Sequence, residues 1–399
     1  MAPSATETLN LSAIPVAAGK GKLSSPKPWV KSTGALDEYE NFDVTPIIGR
    51  EYPHASLAQW LQSPNADALI RELALTSRLS RSHSYSKDTD TLVVSQRGVV
   101  FFRAQDDLTA DLQKQLVQRL GLLSGKPADS GLHIHPILNS EREGYRVTDP
   151  EISTIDSALN KKLYGNNSII NQSGKKQHSG GWHADISFEP APADYSSLRL
   201  EVLPKTGGDT LWASGYEIYD RISEPYQKFL EGLTCTFHQP GFIEAAAKGG
   251  FAVYEKPRGS PLNIGKELKA VHPVVRTNPV TGWKSIFPVG GHISHINGIT
   301  DLESKALLKW FNRLLVDNHD LQVRFRWQNK NDIAIWDNRS VFHTATYDID
   351  GLGDRYGVRA VSVGEKPFLD PESTGRREAL GMKDVENREA KVGDEVAKS

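Results

Sequence analysis

The chain has little cysteine, almost no net charge and no long apolar run. Its single cysteine, Cys235, excludes an intramolecular disulfide framework and fits a reducing compartment. A formal net charge of −2 offers no basic field for nucleic acid. No segment approaches the roughly 18 apolar residues of a membrane span, and the first 25 or so residues lack the apolar core of a secretory signal. The expectation is a cytoplasmic protein without membrane or nucleic-acid partners.

The 399 residues are enough to bury a large core, and composition divides them into three parts. Residues 1–45 are rich in Ala, Ser, Pro and Lys without periodicity, which predicts an irregular arm. Residues 46–370 carry the apolar patterning of a single domain. Residues 371–399 form a charged tail, predicted to be a solvated helix or disordered. The sequence leaves the formation of a homo-oligomer open.

Short strands dominate the middle of the chain. Thr109 is a predicted N-cap for a helix with Leu112, Leu116 and Leu120 at helical spacing, and Thr300 with Glu303 predicts a capping box on a second helix. The predicted strands are 98–102, 196–203, 235–237, 272–277, 322–327, 332–336 and 355–363. This pattern predicts a mostly β fold with flanking helices, of the double-stranded β-helix (jelly-roll) type.

Candidate metal ligands stand at His183, Asp185 and, far downstream, His343. On a strand, His183 and Asp185 would point to the same side, and His343 could join them from another strand. Two imidazoles and one carboxylate leave adjacent coordination positions open, as in non-haem Fe(II) oxygenases. Zinc accepts the same ligands. The alternative for the first pair alone is a core histidine near a surface aspartate.

Two arginines follow at Arg355 and Arg359, on one face of a predicted strand. Four strand residues separate their α-carbons by roughly 13 Å, which suits two different anions. Inward-facing guanidinium groups are costly unless each meets an anion, although both arginines could instead form surface salt bridges. Thr210, after Gly207 and Gly208, could bind one carboxylate together with an arginine. Alternatively, Thr210 only caps a strand after a hairpin turn.

These segments together resemble the taurine dioxygenase-like family of Fe(II)/2-oxoglutarate-dependent dioxygenases, from about residue 99 to 368. The fungal sulfonate-oxidising branch resembles the chain most, on the strength of the long arm and an insertion before His183. The matching segments are Gly-Val-Val-Phe-Phe-Arg (98–103), Leu-His-Ile-His-Pro (132–136), Trp-His-Ala-Asp-Ile-Ser-Phe (182–188), Leu-Pro-Lys-Thr-Gly-Gly-Asp-Thr-Leu-Trp-Ala-Ser (203–214), His-Pro-Val-Val-Arg-Thr-Asn-Pro-Val-Thr-Gly (272–282), Asn-Asp-Ile-Ala-Ile-Trp-Asp-Asn-Arg (331–339) and Gly-Glu-Lys-Pro-Phe (364–368).

The resemblance implies an enzyme with Fe(II) and the co-substrates 2-oxoglutarate and O₂. It implies a role for eight residues: iron ligands His183, Asp185 and His343; 2-oxoglutarate ligands Thr210 and Arg355; substrate-head ligands His135 and Arg359; and the pocket wall Trp182. The implied substrate is a small organic anion, in first place an alkylsulfonate like taurine. Hydroxylation next to sulfur would release sulfite and an aldehyde while 2-oxoglutarate becomes succinate and CO₂. Because Asp185 fills the carboxylate position, halogenation is not expected.

Departures from the taurine pattern concern the far end of the pocket. They are Ser-Gly-Gly at 179–181, Leu138 in place of an aromatic residue, and a Gly-rich stretch at 289–295 with His292 and His295. Taurine itself is therefore in doubt. The alternatives are a carboxylate or amino acid that is hydroxylated, desaturated or cyclised, a zinc-dependent hydrolase or lyase, and a non-catalytic binding barrel. Residues 239–266 are the expected mobile cover of the pocket, unless they form only a slack surface loop.

Overall fold

The computed structural model describes residues 33–74, 94–138, 148–159 and 181–382, and its regular structure consists of short β-strands and α-helices. The strands in this part of the chain are β1 (Phe42–Asp43), β2 (Arg50–Tyr52), β3 (Val99–Phe102), β4 (Ile152–Asp156), β5 (Ala193–Val202), β6 (Thr210–Ser214), β7 (Thr234–His238), β8 (Lys269–Pro273), β9 (Val275–Thr277), β10 (Lys284–Ile286), β11 (Ile293–Ile296), β12 (Gln322–Phe325), β13 (Ile333–Asp337), β14 (Val341–Ala345) and β15 (Tyr356–Val363). The α-helices are α1 (Leu57–Gln62), α2 (Ala66–Ala74), α3 (Val94–Arg97), α4 (Ala110–Ser124), α5 (Gly215–Asp220), α6 (Glu224–Glu231), α7 (Pro240–Gly249), α8 (Asp301–Val316) and α9 (Arg376–Ala379).

Two sheets share the core next to the candidate site. The larger has the order β1-β2-β3-β13-β5-β15-β4, and the smaller has the order β12-β6-β14. Phe101 and Leu200 of the larger sheet lie in one apolar cluster with Trp212 and Phe325 of the smaller, and the rings of Phe101 and Phe325 stack at 4.1 Å. The predicted mostly β fold with helices is confirmed, whereas the jelly-roll connectivity stays a prediction.

Helices pack on the other face of the larger sheet. Alternate residues of β3 contact the smaller sheet on one side and these helices on the other. Phe101 points toward the smaller sheet, whereas Val100 and Phe102 join a cluster with Trp60 of α1 and Leu116 of α4. Both faces of β3 are therefore apolar, which explains its continuous hydrophobic run. Within the described ranges, no helix has the length and apolar character needed to cross a bilayer.

Local signals in the sequence specify both long helices. The Thr109 side chain caps α4, and Thr300 and Glu303 form the predicted capping box at the start of α8. The predicted strand at 272–277 is wrong as one unit. It divides into β8 and β9, which belong to different sheets, because Pro273 has no N–H and the Val274 N–H donates to the carbonyl of Leu233.

The predicted arm and tail touch the domain where they are described. Leu36 is fully buried in the cluster beneath α1 and α2. At the other end, Arg376 of α9 is buried and donates to Glu217 of α5 at 2.8 Å. The division into arm, domain and tail stays a prediction, and residues 1–32 and 383–399 lie outside the described part.

The capping box predicts a difference between two exposed helix starts. Thr300→Ala should lower the free energy of unfolding by about 1 kcal/mol, since the N3 amide of α8 loses its side-chain acceptor. Ser223 occupies the same position on α6, but its side chain makes no capping hydrogen bond, so Ser223→Ala is the matched control. Urea denaturation measures both variants. Equal losses would contradict the capping role of Thr300.

Candidate active site

Three side chains, His183 and Asp185 with the distant His343, converge at the β14 edge of the smaller sheet. His343 lies on β14, and its backbone pairs with that of His183 through N–H···O bonds of 2.9 and 3.1 Å. Asp185 Oδ1 lies 3.9 Å from Nε2 of His183 and 3.8 Å from Nε2 of His343. One potential ligand atom from each residue lies within 4.8 Å of the other two, so the three side chains could hold one metal ion.

The chain reaches this arrangement by a turn and not by the strand that we predicted. His183 forms only an isolated bridge, and Ile186 has a positive φ of 46°. The amide of Asp185 donates to Oδ1 of Asn338 at 3.0 Å, which draws the backbone away from the ladder. His183 and Asp185 therefore converge on one centre, but a left-handed turn follows them where period-two alternation predicted further strand.

Neighbouring groups fix the orientation of the candidate ligands. The ring Nδ1 of His183 lies 2.9 Å from the carbonyl of Gly181, so the ring hydrogen lies on Nδ1 and the lone pair of Nε2 faces Asp185. Ser196 donates to Oδ2 of Asp185 at 2.7 Å and accepts from the side-chain amide of Asn338 at 2.9 Å. Sequence reasoning missed Ser196 and Asn338, although Ser196 begins a predicted strand and Asn338 lies in the matched segment 331–339.

Electrostatics favour two neutral imidazoles around one carboxylate. Burial would raise the pKa of Asp185, but its neighbours, with the charge of Arg359 first, hold this pKa below its usual range. Burial lowers the pKa of His183, and burial with the neighbouring His183 lowers that of His343 well below the usual range. Two nitrogen lone pairs and one anionic oxygen are donors that Fe(II) accepts, and zinc also accepts them.

Arg355 is a buried cation at the other end of the same cavity. It donates through Nε to the carbonyl of Gly208 at 2.8 Å and through Nη2 to the hydroxyl of Thr210 at 3.1 Å. Within the described ranges no carboxylate forms an ion pair with it. Burial lowers its pKa to about 10, an effect that the nearby Tyr347 and Asp209 oppose. A buried guanidinium in this state is stabilised by an incoming anion.

Trp327, which the sequence did not single out, orients the hydroxyl of Thr210. Its indole N–H donates to Thr210 Oγ1 at 3.1 Å. Because Arg355 donates to the same oxygen, both acceptor positions are used and the hydroxyl hydrogen is left to donate. Arg355 and Thr210 therefore present donors only, which suits a carboxylate.

Arg359 lies on the metal side of the cavity. It donates through Nη1 to Oδ1 of Asp185 at 2.5 Å and through Nε to the hydroxyl of Ser153 at 3.2 Å. The two arginines thus occupy separate surroundings, as their spacing predicted, and Arg359 is the one next to the candidate ligands.

His135 contributes a neutral N–H donor to the same region. Its Nδ1 accepts from the amides of Ile137 at 3.2 Å and Leu138 at 3.0 Å, which places the ring hydrogen on Nε2. Burial, with the charge of Arg359 second, lowers the pKa of His135 well below its usual range. The ring centre lies 5.0 Å from that of Phe242 on α7.

One cavity of about 600 Å³ joins these groups. Seven of the eight predicted site residues line it, and the eighth, Asp185, is buried behind the two histidines. The seven are His135, Trp182, His183, Thr210, His343, Arg355 and Arg359. Leu138, Gly181 and His292, three of the departures noted above, line it too, whereas residues 179 and 180 lie outside the described residues.

The predicted cover, residues 239–266, does lie at the cavity. Gln239, the N-cap of α7, and Phe242 within α7 line the cavity. Further along, the buried Arg258 donates to the carbonyl of Tyr254 and to the carboxylate of Glu189, so this part of the segment is attached to the domain. Its mobility stays a prediction.

The fold and the ligand geometry define a two-histidine, one-carboxylate site at the end of a mostly β domain. The chain belongs to the family described as taurine catabolism dioxygenase TauD, TfdA family, whose model matches residues 71–361. It is an α-ketoglutarate (2-oxoglutarate)-dependent dioxygenase, a class that uses Fe(II), 2-oxoglutarate and O₂.

Similar proteins carry the same class name. The α-ketoglutarate-dependent dioxygenase btcD of Neocamarosporium betae is 53% identical over 357 residues, 88% of this chain and 98% of that protein. The α-ketoglutarate-dependent sulfonate dioxygenase of Saccharomyces cerevisiae is 30% identical over 285 residues, 71% and 62% of the two chains. The crystal structure of a taurine dioxygenase from Burkholderia xenovorans shares the fold, with a TM-score of 0.57 at 24% identity, covering 85% and 94%.

The bond from Ser196 to Asp185 predicts a specific effect on metal affinity. Ser196→Ala should weaken Mn(II) binding about tenfold, because the candidate carboxylate ligand loses the group that orients it. Ser197 is equally buried but contacts Gln113 on the other side of β5, so Ser197→Ala is the control. Anaerobic calorimetric titration with Mn(II) measures both affinities. Equal losses, or none in Ser196→Ala, would contradict the orienting role.

Proposed function

We propose that His183, Asp185 and His343 hold Fe(II), and that Thr210 and Arg355 hold the distal carboxylate of 2-oxoglutarate. The observation that carries this proposal is the buried Arg355. It has no acidic partner among the described residues, its pKa is lowered to about 10, and it lines the same cavity as the two histidines. A dicarboxylic co-substrate can reach both the metal and this guanidinium, which supports the assignment.

In this proposal, side chains of the protein bind and orient the co-substrate and the substrate. When bound, Fe(II) with O₂ and 2-oxoglutarate supplies the oxidation, in which 2-oxoglutarate becomes succinate and CO₂ and one substrate C–H bond is oxidised. Arg355 and Thr210 fix the co-substrate by its far end. Trp182 and Trp336 are largely buried walls of the cavity beside the candidate ligands and limit the access of water.

The substrate in this proposal is a small organic acid whose head meets Arg359 and His135. A guanidinium and a neutral imidazole N–H are donors only, which favours an anionic head over a neutral one. Since the head is fixed, the carbon next to it faces the metal. With an alkylsulfonate, hydroxylation at that carbon gives an adduct that collapses to an aldehyde and sulfite. The sulfonate dioxygenase relative supports this choice.

A carboxylate or amino-acid substrate is the second candidate. The relative at 53% identity has no sulfonate in its name, and Leu138 and His292 line the cavity where the taurine pattern differs. Family membership sets aside the zinc-dependent hydrolase and the non-catalytic barrel.

Cytoplasmic placement and a homo-oligomer stay proposals from the sequence; the one cysteine, Cys235, is free and buried.

Trp327→Phe tests the co-substrate half of the proposal. The KM for 2-oxoglutarate should rise about fivefold, the ratio for a lost hydrogen bond of about 1 kcal/mol, since Thr210 is no longer held as a donor. Trp283 is also buried but packs against Tyr216 instead of bonding to Thr210, so Trp283→Phe should leave this KM unchanged. Succinate formation at varied 2-oxoglutarate gives both values. An unchanged KM in Trp327→Phe would overturn the role of the indole N–H.

The two arginines test the division between co-substrate and substrate. Arg359→Gln should raise the KM for the organic acid about 30-fold, as expected when a charge-assisted bond is lost, while the KM for 2-oxoglutarate changes little. Arg355→Gln should raise the KM for 2-oxoglutarate by a similar factor, while the KM for the organic acid changes little. Succinate and sulfite are measured with a panel of alkylsulfonates, alkanoates and amino acids. Sulfite release identifies a sulfonate substrate, oxidised acid without sulfite identifies the second candidate, and equal effects of both variants on both KM values would contradict the assignment.

A further inference from the structure

Three ionisable groups outside the proposed chemistry meet in the interior beside the cavity. Arg258 donates to both carboxylate oxygens of Glu189, through Nε at 2.5 Å and Nη2 at 2.9 Å. Nε2 of His133 lies 3.3 Å from Oε1 of the same carboxylate. All three residues are at most 4% exposed. A planar, bidentate pair of this kind fixes direction as well as distance.

Arg258 also closes the loop that carries it. Its Nη1 donates to the carbonyls of Tyr254 at 2.9 Å and Gly265 at 2.8 Å. The loop is bonded in turn to the segment around His135: Tyr254 N–H donates to the carbonyl of Pro136 at 2.9 Å, and Gly131 N–H donates to that of Gly259 at 2.6 Å. One guanidinium therefore holds residues 254–265 together and against residues 131–138.

Glu189 connects this loop to the metal side. Its amide donates to the carbonyl of Ile186 at 2.9 Å, which closes the turn that follows Asp185. The ring of the preceding residue, Phe188, packs against Phe242 at 5.7 Å and His292 at 5.2 Å between ring centres. His133, the second partner of Glu189, stands two residues before His135.

We infer that Arg258 is a positioning residue that sets the distance between the metal-bearing turn and the substrate anchor His135. It acts through Glu189 on the turn after Asp185, and through Glu189 and His133 on residues 131–138. Residues 254–265 are then a fixed support for the segments that carry His135 and Asp185. The inference rests on the proposed function only in taking His135 as the anchor of the acid head. Small displacements of such an anchor separate the oxidation of 2-oxoglutarate from that of the substrate, because the reacting carbon is no longer aligned.

Arg258→Lys keeps the charge and removes the planar fork. Arg103→Lys is the matched control, because Arg103 also donates to both oxygens of a carboxylate, Glu51, at 2.7 and 2.9 Å, but its partners lie outside residues 131–138, 186–191 and 254–265. Hydrogen–deuterium exchange of the metal-free chains is the first readout. In Arg258→Lys, exchange should accelerate in 131–138 and 186–191 as well as in 254–265, whereas Arg103→Lys should leave all three segments unchanged.

His133→Leu is the second variant, because it removes only one partner of Glu189 and keeps the fork. It should accelerate exchange in 131–138 while 254–265 stays protected. Acceleration of 254–265 alone in Arg258→Lys, or an unchanged 131–138 in His133→Leu, would overturn the inference. This readout needs no substrate, so it decides the inference even if the proposed function fails.

Turnover is the second readout, with taurine, longer linear alkanesulfonates and the matching alkanoates as probes. Arg258→Lys should lower the oxidised probe formed per succinate about fivefold, while the KM for 2-oxoglutarate stays within about twofold of the parent. A merely structural role would change both quantities or neither, and either result would contradict positioning. If the parent chain oxidises no probe, the proposed substrate class fails and the exchange result alone decides the role of Arg258.

Discussion

The structure of the site depends on one buried carboxylate. Asp185 is 2% exposed and ionised, and each of its oxygens is bonded: Oδ1 to Arg359 and Oδ2 to Ser196. An ionised group in this position is stable only where donors or cations surround it. Nε2 of each imidazole also lies within 4 Å of Oδ1, so one cation placed between them would meet all three ligand atoms. The carboxylate thus organises the groups that can take up a cation.

Charge is distributed unequally along the cavity. Near Asp185, the negative charge of the carboxylate and the positive charge of Arg359 nearly cancel, and the two imidazoles are neutral. Among the described residues, the side chain of Arg355 at the other end donates to neutral acceptors, the carbonyl of Gly208 and the hydroxyl of Thr210. A cation at one end and a metal-binding site at the other favour a ligand with a negative group at both ends, because a bound divalent metal ion would attract one group and Arg355 the other. The shape of 2-oxoglutarate fits this requirement.

Sequence reasoning succeeded where the cause is local. The capping box at Thr300 and the strand β3 depend on neighbours within a few residues, so they could be predicted. The convergence of His183, Asp185 and His343 also followed, because ordered motifs carry the resemblance. The left-handed turn at Ile186 could not be derived, since its cause is Asn338, about 150 residues away.

Partners across the fold were missed for the same reason. Trp327 reaches Thr210 across 117 residues, and Arg258 reaches Glu189 across 69. No periodicity in the sequence marks either residue. Prediction of 272–277 as one strand failed because Val274 bonds to Leu233 and not to a strand partner. In this chain, hydrogen bonds between residues distant in sequence determine the side-chain partners and strand ends that the local sequence pattern does not predict.

Anaerobic crystals grown with Fe(II) and 2-oxoglutarate would test the central claim most directly, by anomalous scattering at the iron edge. The account predicts one iron peak bonded to Nε2 of His183, Nε2 of His343 and the carboxylate of Asp185, with the distal carboxylate of 2-oxoglutarate on Arg355 and Thr210. An iron peak away from these three residues, or a co-substrate carboxylate that does not contact Arg355, would contradict it.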